Sequence, residues 1–335
     1  MVSLPKAWVE QMHLSQGDTV NLSTDNEGRL VIHPSLQILK TRTKCVIHSS
    51  KIDSKLLRRL LLAAYIVGHD VIEVNNGSAE FSATQLEMLR KTLNDLIGVG
   101  IVEQETNRVT IQSFLDPSKF PIDGLISRLH LIVESMRELA VRAMLEERDE
   151  LAKQVIDMDI EADKVYFLST RLLLQAVSDK AVAERVGFEN PRNIVGDRLV
   201  LKALEEVGDF DELIARAAIK INEMHFYNGE INKQISLLND HAKKIGALSM
   251  KSLTKKDIQA ANAAVNENEV LTADEEETES KLYSEQISAT AVARPIKEVT
   301  YGIRQIGEAY TIAAETMLNR AVESSSETVD VLHEA

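Results

Sequence analysis

Apolar residues follow three different spacings along the chain, and the first 35 residues have the shortest segments. VSLPKAWVEQMHL predicts a short helix that begins near Pro5, and SQGDTVNLSTDNEGRLVIHP predicts two strands, at 19–23 and 30–33, joined by a turn. A unit of this size is too small to bury a hydrophobic core alone. We therefore expect it to need a partner, most simply a second copy of itself.

Residues 36–118 alternate between strand and helix patterns. KCVIHS, DVIEV and VGIVEQETNRVTIQSFL predict strands, and SKLLRRLLLAAYIVG predicts a helix that Gly68 ends. SATQLEMLRKTLNDLIG predicts a second helix, with Ser82 and Gln85 at the spacing of a capping box. This alternation is typical of a compact α/β or α+β domain. Cys45 is the single cysteine, which excludes an intramolecular disulfide framework, and its strand predicts a buried, inert thiol.

From residue 119 the apolar spacing is helical almost to the end of the chain. Breaks at 187–191, 228–229, 249–256 and 294–295 divide it into about six helices, which predicts a bundle with short connections. Val207-Gly208-Asp209 and Ile306-Gly307-Glu308 repeat one local pattern. We interpret 119–222 and 223–323 as two copies of a three-helix bundle, and 324–335 as a frayed tail. The predicted fold is multidomain: a small β-rich head, a middle α/β domain and all-α tandem three-helix bundles.

Composition and charge narrow the functional classes. The chain has 335 residues, 44% of them hydrophobic, and a formal net charge of −14. This charge disfavours a large general nucleic-acid surface, although a small local DNA-binding patch stays open. No apolar run reaches the roughly 18 residues of a membrane span, and the N-terminus lacks the pattern of a signal peptide. We expect a cytoplasmic protein without a transmembrane segment.

Paired carboxylates are the main candidate chemistry. Glu205 and Asp209 share one helix face at i,i+4, and Asp159 and Asp163 do so on the preceding helix. With 52 acidic residues among 335, about eight such pairs arise by chance, so one pair alone is explained by a solvated surface. Two helices that present such pairs at one level would gather four anionic groups, and mutual repulsion would raise their pKa values. A divalent or trivalent cation relieves this repulsion, and Gly208 would let another helix or the metal's ligands approach the backbone.

These motifs resemble the phosphate-uptake regulator family, PhoU. Glu205-Glu206-Val207-Gly208-Asp209 resembles its E-R-I-G-D signature, and Asp159-Ile160-Glu161-Ala162-Asp163 resembles its E/D-x-x-x-D motif. The resemblance implies tandem three-helix bundles, a role in phosphate homeostasis, and iron or another metal at the paired motifs. The oxygen donors of these motifs suit iron, manganese or magnesium rather than zinc. The implied metal ligands are Asp159, Asp163, Glu205 and Asp209 in the first repeat, and Glu275, Glu279 and Glu308 in the second. Arg304 departs from the pattern, because it stands where the first repeat has Glu205 and would repel a metal or pair with Glu308.

The head has a resemblance of its own. Ser3-Leu4-Pro5-Lys6-Ala7-Trp8 and the stretch HLSQGDTV at 13–20 are similar to the AbrB/SpoVT swapped-hairpin domain, in which two chains build one DNA-binding barrel. Head and repeats together resemble archaeal PhoU-related regulators. The implied partners are a second copy, a phosphate transporter or signalling protein, and DNA, with Lys6 as a DNA contact. Residues 1–44 hold five Lys/Arg against four Asp/Glu, so a head that only dimerises remains an alternative.

Two other functional classes compete with a regulator of this kind. Di-iron carboxylate enzymes place Glu-x-x-His motifs inside a bundle, and no histidine follows Glu205, Glu275 or Glu308 by three residues. The sequence also lacks a nucleophile elbow, a P-loop and a dinucleotide-binding glycine fingerprint. We therefore expect no enzyme. The main alternative is a structural scaffold or adaptor, without metal or DNA binding, whose acidic stripes are only solvated surface.

Overall fold

The fold was analysed in a computed structural model that describes residues 3–24, 29–34, 43–284 and 290–323. The chain divides into two compact units, Met1–Lys44 and Cys45–Ala335, and each is described by itself.

The first unit is a short helix followed by a two-stranded hairpin. Helix α1 (Lys6–Gln11) begins directly after Pro5, where a proline is tolerated because the first helical N–H groups lack partners anyway. Strands β1 (Val20–Thr24) and β2 (Leu30–Pro34) pair antiparallel. These three elements confirm the predicted ones; the predicted turn between the strands, and the start of the predicted middle domain up to residue 42, lie outside the described residues. Leu22 remains 61% exposed, so this unit leaves apolar surface on its hairpin uncovered.

The second unit begins with an α/β region built around one four-stranded sheet. Its strand order is β3-β4-β6-β5, with β6 antiparallel to both of its neighbours. Two helices cover the sheet and bury a core of aliphatic side chains and Tyr65 against it. The elements are β3 (Lys44–His48), α2 (Ser54–Val67), β4 (Val71–Asn75), α3 (Ala83–Asn94), β5 (Val99–Gln104) and β6 (Arg108–Ser113).

In this region the sequence correctly predicted where helices begin and end, but it did not predict how far Cys45 on β3 is buried. The Ser82–Gln85 capping box is present, and Gly68 ends α2 with a positive φ of 106°. Cys45 is only partly buried, so the predicted buried thiol is wrong. The physical reason is the position of β3 at the edge of the sheet, where a strand has one neighbour.

A helical region of six long helices and one short helix follows in the described residues. The first three long helices, α4, α5 and α7, pack on one another, and α8, α9 and α10 form a second such set. The bounds are α4 (Ile122–Leu145), α5 (Asp149–Ser178), α6 (Lys180–Arg185), α7 (Asn193–Glu223), α8 (Gly229–Lys255), α9 (Ile258–Ser284) and α10 (Ala293–Ala321).

Both sets of helices share one continuous hydrophobic core. Helices α7 and α10, the last of each set, lie against each other, and fully buried side chains such as Val207 and Ile306 belong to the same cluster. None of the helices in the described ranges is long and apolar enough to cross a membrane.

A buried arginine fastens the sheet region to the helical region. Arg171 on α5 is 1% exposed, and its guanidinium donates to the backbone carbonyls of Tyr65, Gly68 and His69 at 2.5, 3.2 and 2.9 Å. These carbonyls lie at the C-terminal end of α2, where the last backbone oxygens of a helix lack partners and the helix dipole favours a cation. Arg171 therefore caps α2 from a different part of the fold.

Candidate functional site

The paired carboxylates of the first repeat lie together on two neighbouring helices. Asp159 and Asp163 lie one turn apart on α5, and Glu205 and Asp209 one turn apart on α7, which packs along α5. We call these four residues the acidic face. Each of the three aspartates is affected by the charge of Glu205, so the four groups form one electrostatic unit.

Gly208 on α7 lies beside Asp159 of the acidic face, with room for a side-chain carbon. A Cβ atom on Gly208 would stand 3.4 Å from Val133 Cγ1 and 3.6 Å from Asp159 Oδ1. These distances are near ordinary van der Waals contact, so the glycine widens the space beside Asp159 without being required to prevent a severe clash. Val207, the residue before it, is fully buried, whereas Asp209 is exposed. The α7 side of the acidic face thus lies at the edge of the core.

Burial and mutual repulsion hold protons on this face. Burial, followed by the charge of Asp163, raises the pKa of Asp159 to about 7. Burial and then Glu205 raise the pKa of Asp163 to about 6, and the same two causes raise the pKa of Asp209 to about 6. For these carboxyl groups, the effects of burial and of neighbouring acids exceed those of the positive charges around them. A cation bound among them would favour their ionised forms.

Existing positive charge reaches only the edges of the acidic face. Lys202 forms an ion pair with Glu205, and Arg58 on α2 lowers the pKa of Asp163 against the larger effect of burial. Within the described residues, Asp159, Asp163 and Asp209 form no hydrogen bond or ion pair through their carboxylates. Three of the four predicted ligands therefore have unused oxygen lone pairs.

The spacing of the carboxylates limits what they can do as placed. In the parts of the chain that the structure describes, no three His, Cys, Asp or Glu side chains are grouped so that they could hold a metal ion. The donor type suits a hard cation such as Mg²⁺ or Mn²⁺, but the side chains stand apart. Like charges without a counter-ion repel, and side-chain rotation would have to bring them closer around a cation.

Comparison with known proteins identifies this part of the chain. Residues 126–218, which contain all of α5 and most of α4 and α7, match the PhoU domain family. The chain contains a PhoU domain. The crystal structure of PhoU from Pseudomonas aeruginosa is similar over 59% of this chain and 93% of that chain, with a TM-score of 0.53 and 16% sequence identity. At this identity the similarity shows the fold. No curated protein matches the chain.

The head also matches a known family. Residues 1–38 match the family described as antidote-toxin recognition MazE, bacterial antitoxin. Lys6, the predicted DNA contact, lies on α1 with its side chain 90% exposed and its ammonium 3.8 Å from Glu10. The head thus presents Lys6 to solvent, next to an acid that partly offsets its charge.

Downstream of the matched PhoU domain, the second set of helices repeats the glycine contact with a different partner. A Cβ atom on Gly307 would stand 2.6 Å from Asn268 Oδ1 and 2.5 Å from Leu271 Cδ2. Asn268, the eleventh residue of α9, occupies the place that Asp159, the eleventh residue of α5, has in the PhoU domain. This alignment of the two sets differs from the predicted one, which placed Glu275 and Glu279 in the positions of Asp159 and Asp163. The sequence comparison was misled by the many acids in VLTADEEETES, which sit about two turns further along α9.

Cations already pair with the predicted acids of the second repeat. Arg304 Nη1 lies 2.5 Å from Glu308 Oε1, and its Nε lies 3.9 Å from Glu275 Oε2. Lys297 lies 4.0 Å from Glu279. The expected ion pair between Arg304 and Glu308 is therefore present. Here the acids already have internal counter-ions, in contrast to the aspartates of the PhoU domain.

Sequence reasoning missed a buried polar junction between the two sets of helices. Arg137 on α4 is 2% exposed and donates to Asn239 Oδ1 on α8 at 2.6 Å and to Glu134 Oε2 at 2.7 Å. Tyr310 on α10 donates to Glu134 Oε1 at 3.0 Å. These bonds join side chains from three helices and give the buried Arg137 guanidinium two side-chain acceptors, although its Nε has no hydrogen-bond partner in the described structure.

Asp211 on α7 lies near this junction and is fully buried. Neither carboxyl oxygen has a hydrogen-bond partner in the described structure, and burial raises the pKa of Asp211 well above its ordinary value, although Arg137 lowers it. The sequence could have indicated that Asp211 is buried. Asp211 falls on the apolar stripe of Val207 and Ile214, where a polar side chain demands an explanation.

Proposed function

We propose that this protein is a cytoplasmic regulator of phosphate uptake, without enzymatic activity, that acts as a homodimer. Its acidic face binds an iron, manganese or magnesium ion, and metal occupancy tunes contact with a phosphate transporter or a signalling protein. The PhoU domain at 126–218 and the similarity in fold to a solved PhoU structure support the regulatory role.

One observation carries the metal proposal. Asp159, Asp163 and Asp209 lie on one face of the PhoU domain, their pKa values are raised, and their carboxylates have no hydrogen-bond or ion-pair partner in the described residues. Folded proteins normally pair or hydrate charges that they gather in this way. Once side-chain rotation brings them closer, one cation would satisfy all three groups, with oxygen ligands that suit magnesium, manganese or iron.

Elemental analysis tests the proposal directly. We expect protein purified without chelators to contain close to one equivalent of metal, and Glu205→Ala/Asp209→Ala protein to have lost it while remaining folded. Asp157→Asn is the matched control, because Asp157 is an exposed acid on α5, two residues from Asp159, and lies outside the acidic face. Metal that is absent from all three proteins, or equally present in them, contradicts the metal proposal.

Phosphate transport in cells tests the regulatory role separately. Cells that lack the gene are expected to take up labelled phosphate faster than wild-type cells when phosphate is plentiful. The wild-type gene and the Asp157→Asn gene should restore normal uptake, and the Glu205→Ala/Asp209→Ala gene should not. Unchanged uptake in the deletion strain contradicts the regulatory role whatever the metal content.

The head adds a proposed contact with DNA through Lys6. A phosphate contact contributes affinity regardless of base sequence and makes binding depend on salt. We expect Lys6→Ala to weaken DNA binding and to reduce its salt dependence, compared with Lys51→Ala, which removes an exposed lysine from the second unit. Equal binding by both variants contradicts a DNA role for Lys6 and leaves dimerisation as the role of the head.

The competing candidate is a dimeric scaffold without metal or DNA binding. The spacing of the acidic side chains favours it, because no three potential ligands in the described residues are grouped to hold a metal. The ion pair between Lys202 and Glu205 favours it as well, since it already neutralises one of the four acids. The elemental analysis separates the two candidates.

A further inference from the structure

The two sets of helices carry different charges at equivalent positions. Asp159 and Asn268 are equivalent by their place along α5 and α9 and by their contact with a glycine on the facing helix. The facing glycines, Gly208 and Gly307, begin the same local pattern of glycine followed by an acid. The place along the helix and the neighbouring glycine therefore give the same alignment of α5 with α9.

This alignment gives a counterpart in the second set to every member of the acidic face. One turn beyond Asn268 is Thr272, in the place of Asp163, and three residues before Gly307 is Arg304, in the place of Glu205. Glu308 takes the place of Asp209. An amide, a hydroxyl and a guanidinium have thus replaced three carboxylates, and one carboxylate remains.

Arg304 makes the contacts that a cation would make at this place. Its guanidinium lies 2.5 Å from Glu308 on its own helix and 3.9 Å from Glu275 on α9, so it joins two helices through two acids. Glu275 is 7% exposed. Burial and then Glu279 raise its pKa, whereas Arg304 lowers it, so the guanidinium favours the ionised form of this carboxyl group. An arginine side chain keeps its charge at any physiological pH.

We propose that Arg304 is a tethered counter-ion that takes the place of a bound metal in the second set of helices. Each chain then has one face that can take up metal, the acidic face of the PhoU domain, and one face whose charge is balanced permanently. The role of the acidic face rests on the proposed function, whereas the role of Arg304 does not.

The test measures Mn²⁺ binding from the loss of the resonance of free Mn²⁺ in electron paramagnetic resonance. The parent protein is Asp159→Asn/Asp209→Asn, in which the acidic face is disabled. Into this parent we introduce Asn268→Asp, Thr272→Asp and Arg304→Glu, which rebuild four carboxylates in the second set. We expect no bound Mn²⁺ in the parent and one equivalent in the rebuilt protein. A folded rebuilt protein that gains no Mn²⁺ overturns the proposal.

Arg304→Ala in the same parent provides a second test with a smaller change. Removal of the guanidinium leaves Glu275 and Glu308 without their counter-ion, so the melting temperature should fall in chelator and recover when Mn²⁺ is added. The parent, which retains Arg304, should not respond to Mn²⁺. A parent that is stabilised by Mn²⁺, and that loses this response with Glu308→Gln, overturns the proposal because it places a metal site beside Arg304.

The two proposals fail in different ways. If the wild-type protein binds no Mn²⁺ but the rebuilt protein does, the metal site of the acidic face is wrong and the role of Arg304 stands. If the wild-type protein binds Mn²⁺ on the acidic face and the rebuilt protein gains none, the metal site of the acidic face stands and the role of Arg304 is wrong.

Discussion

At the scale of single residues, the acidic face differs from an ordinary charged surface because its three aspartates have raised pKa values. The pKa is about 7 for Asp159 and about 6 for Asp163 and Asp209, and burial is the largest cause in each case. An aspartate in an unfolded chain ionises near pH 4, at roughly 3.9. Folding therefore binds protons on this face between about pH 4 and pH 7.

This proton uptake predicts how stability depends on pH. Because the folded state holds more protons than the unfolded state in that window, the face contributes stability at low pH that is lost as the pH rises through the raised pKa values. In chelator, Asp159→Asn/Asp163→Asn should therefore gain stability relative to wild type between pH 5 and pH 8. Thermal melts across this range measure the difference. Parallel profiles for the two proteins contradict the raised pKa values.

The two site glycines predict opposite effects of the same substitution. Gly307→Ala would place a methyl group 2.5 Å from Leu271 Cδ2, inside a packed core, and we expect a loss of about 1–3 kcal/mol of stability. Gly208→Ala meets its nearest atom at 3.4 Å and gains up to about 1 kcal/mol in helix propensity, so it should be neutral or stabilising.

Urea unfolding of both alanine variants measures this difference. The result also bears on the sequence interpretation, which assigned Gly208 a role in close approach of a helix or a metal. If Gly208→Ala is as destabilising as Gly307→Ala, then the surroundings of Gly208 are packed more tightly than its 3.4 Å separation from Val133 Cγ1 indicates.

At the scale of elements, helix and strand patterns in the sequence predicted most of what the structure contains. The long apolar periods predicted the helices of the bundle, and short signals such as Ser82 with Gln85 predicted where helices begin. These features depend on neighbours in sequence. The contact of Arg171 with α2 does not, because it joins residues more than a hundred positions apart, and no local pattern could indicate it.

Arg171 provides a prediction at this scale. Arg171→Met keeps much of the side chain's length but removes the guanidinium that donates to three carbonyl oxygens at the end of α2. Gly68 O keeps Gln175 Nε2 as a donor and Tyr65 O keeps the amide of Gly68, so we expect a loss of about 1–3 kcal/mol. The loss should appear in denaturant unfolding and as faster hydrogen exchange near the C-terminal end of α2. Arg128→Met, which removes an exposed arginine from α4, is the control and should change neither. Unaltered exchange in α2 contradicts the capping role of Arg171.

At the scale of the whole molecule, the sequence resemblance indicated the right families and the right general architecture. A PhoU domain and a MazE-type head are both present. The candidate site was predictable for the same reason as the helices: i,i+4 spacing places acids on one face, and their helices pack as neighbours. The sequence could not predict which residues of α9 are equivalent to Asp159 and Asp163 of α5, because α9 has acids at several turns. The position of Asn268 beside Gly307 selects one alignment.

One chain can thus combine a surface whose charge depends on bound metal, the acidic face, with a surface around Arg304 whose charge does not. The acidic face lacks internal counter-ions for its aspartates, whereas Arg304 balances the second set. The proposed metal would therefore change the charge of the acidic face and leave the charge around Arg304 unchanged. A partner that contacts both would respond to metal through the first contact alone.

A crystal of the wild-type protein grown with Mn²⁺, and examined for anomalous scattering near the manganese absorption edge, would locate the proposed metal without reference to any variant. We expect one strong anomalous peak per chain, between α5 and α7, within coordination distance of carboxylates of the acidic face. We expect no peak beside Arg304. A map without a peak on the acidic face, or with its strongest peak elsewhere, would contradict the assignment of this face as the metal site.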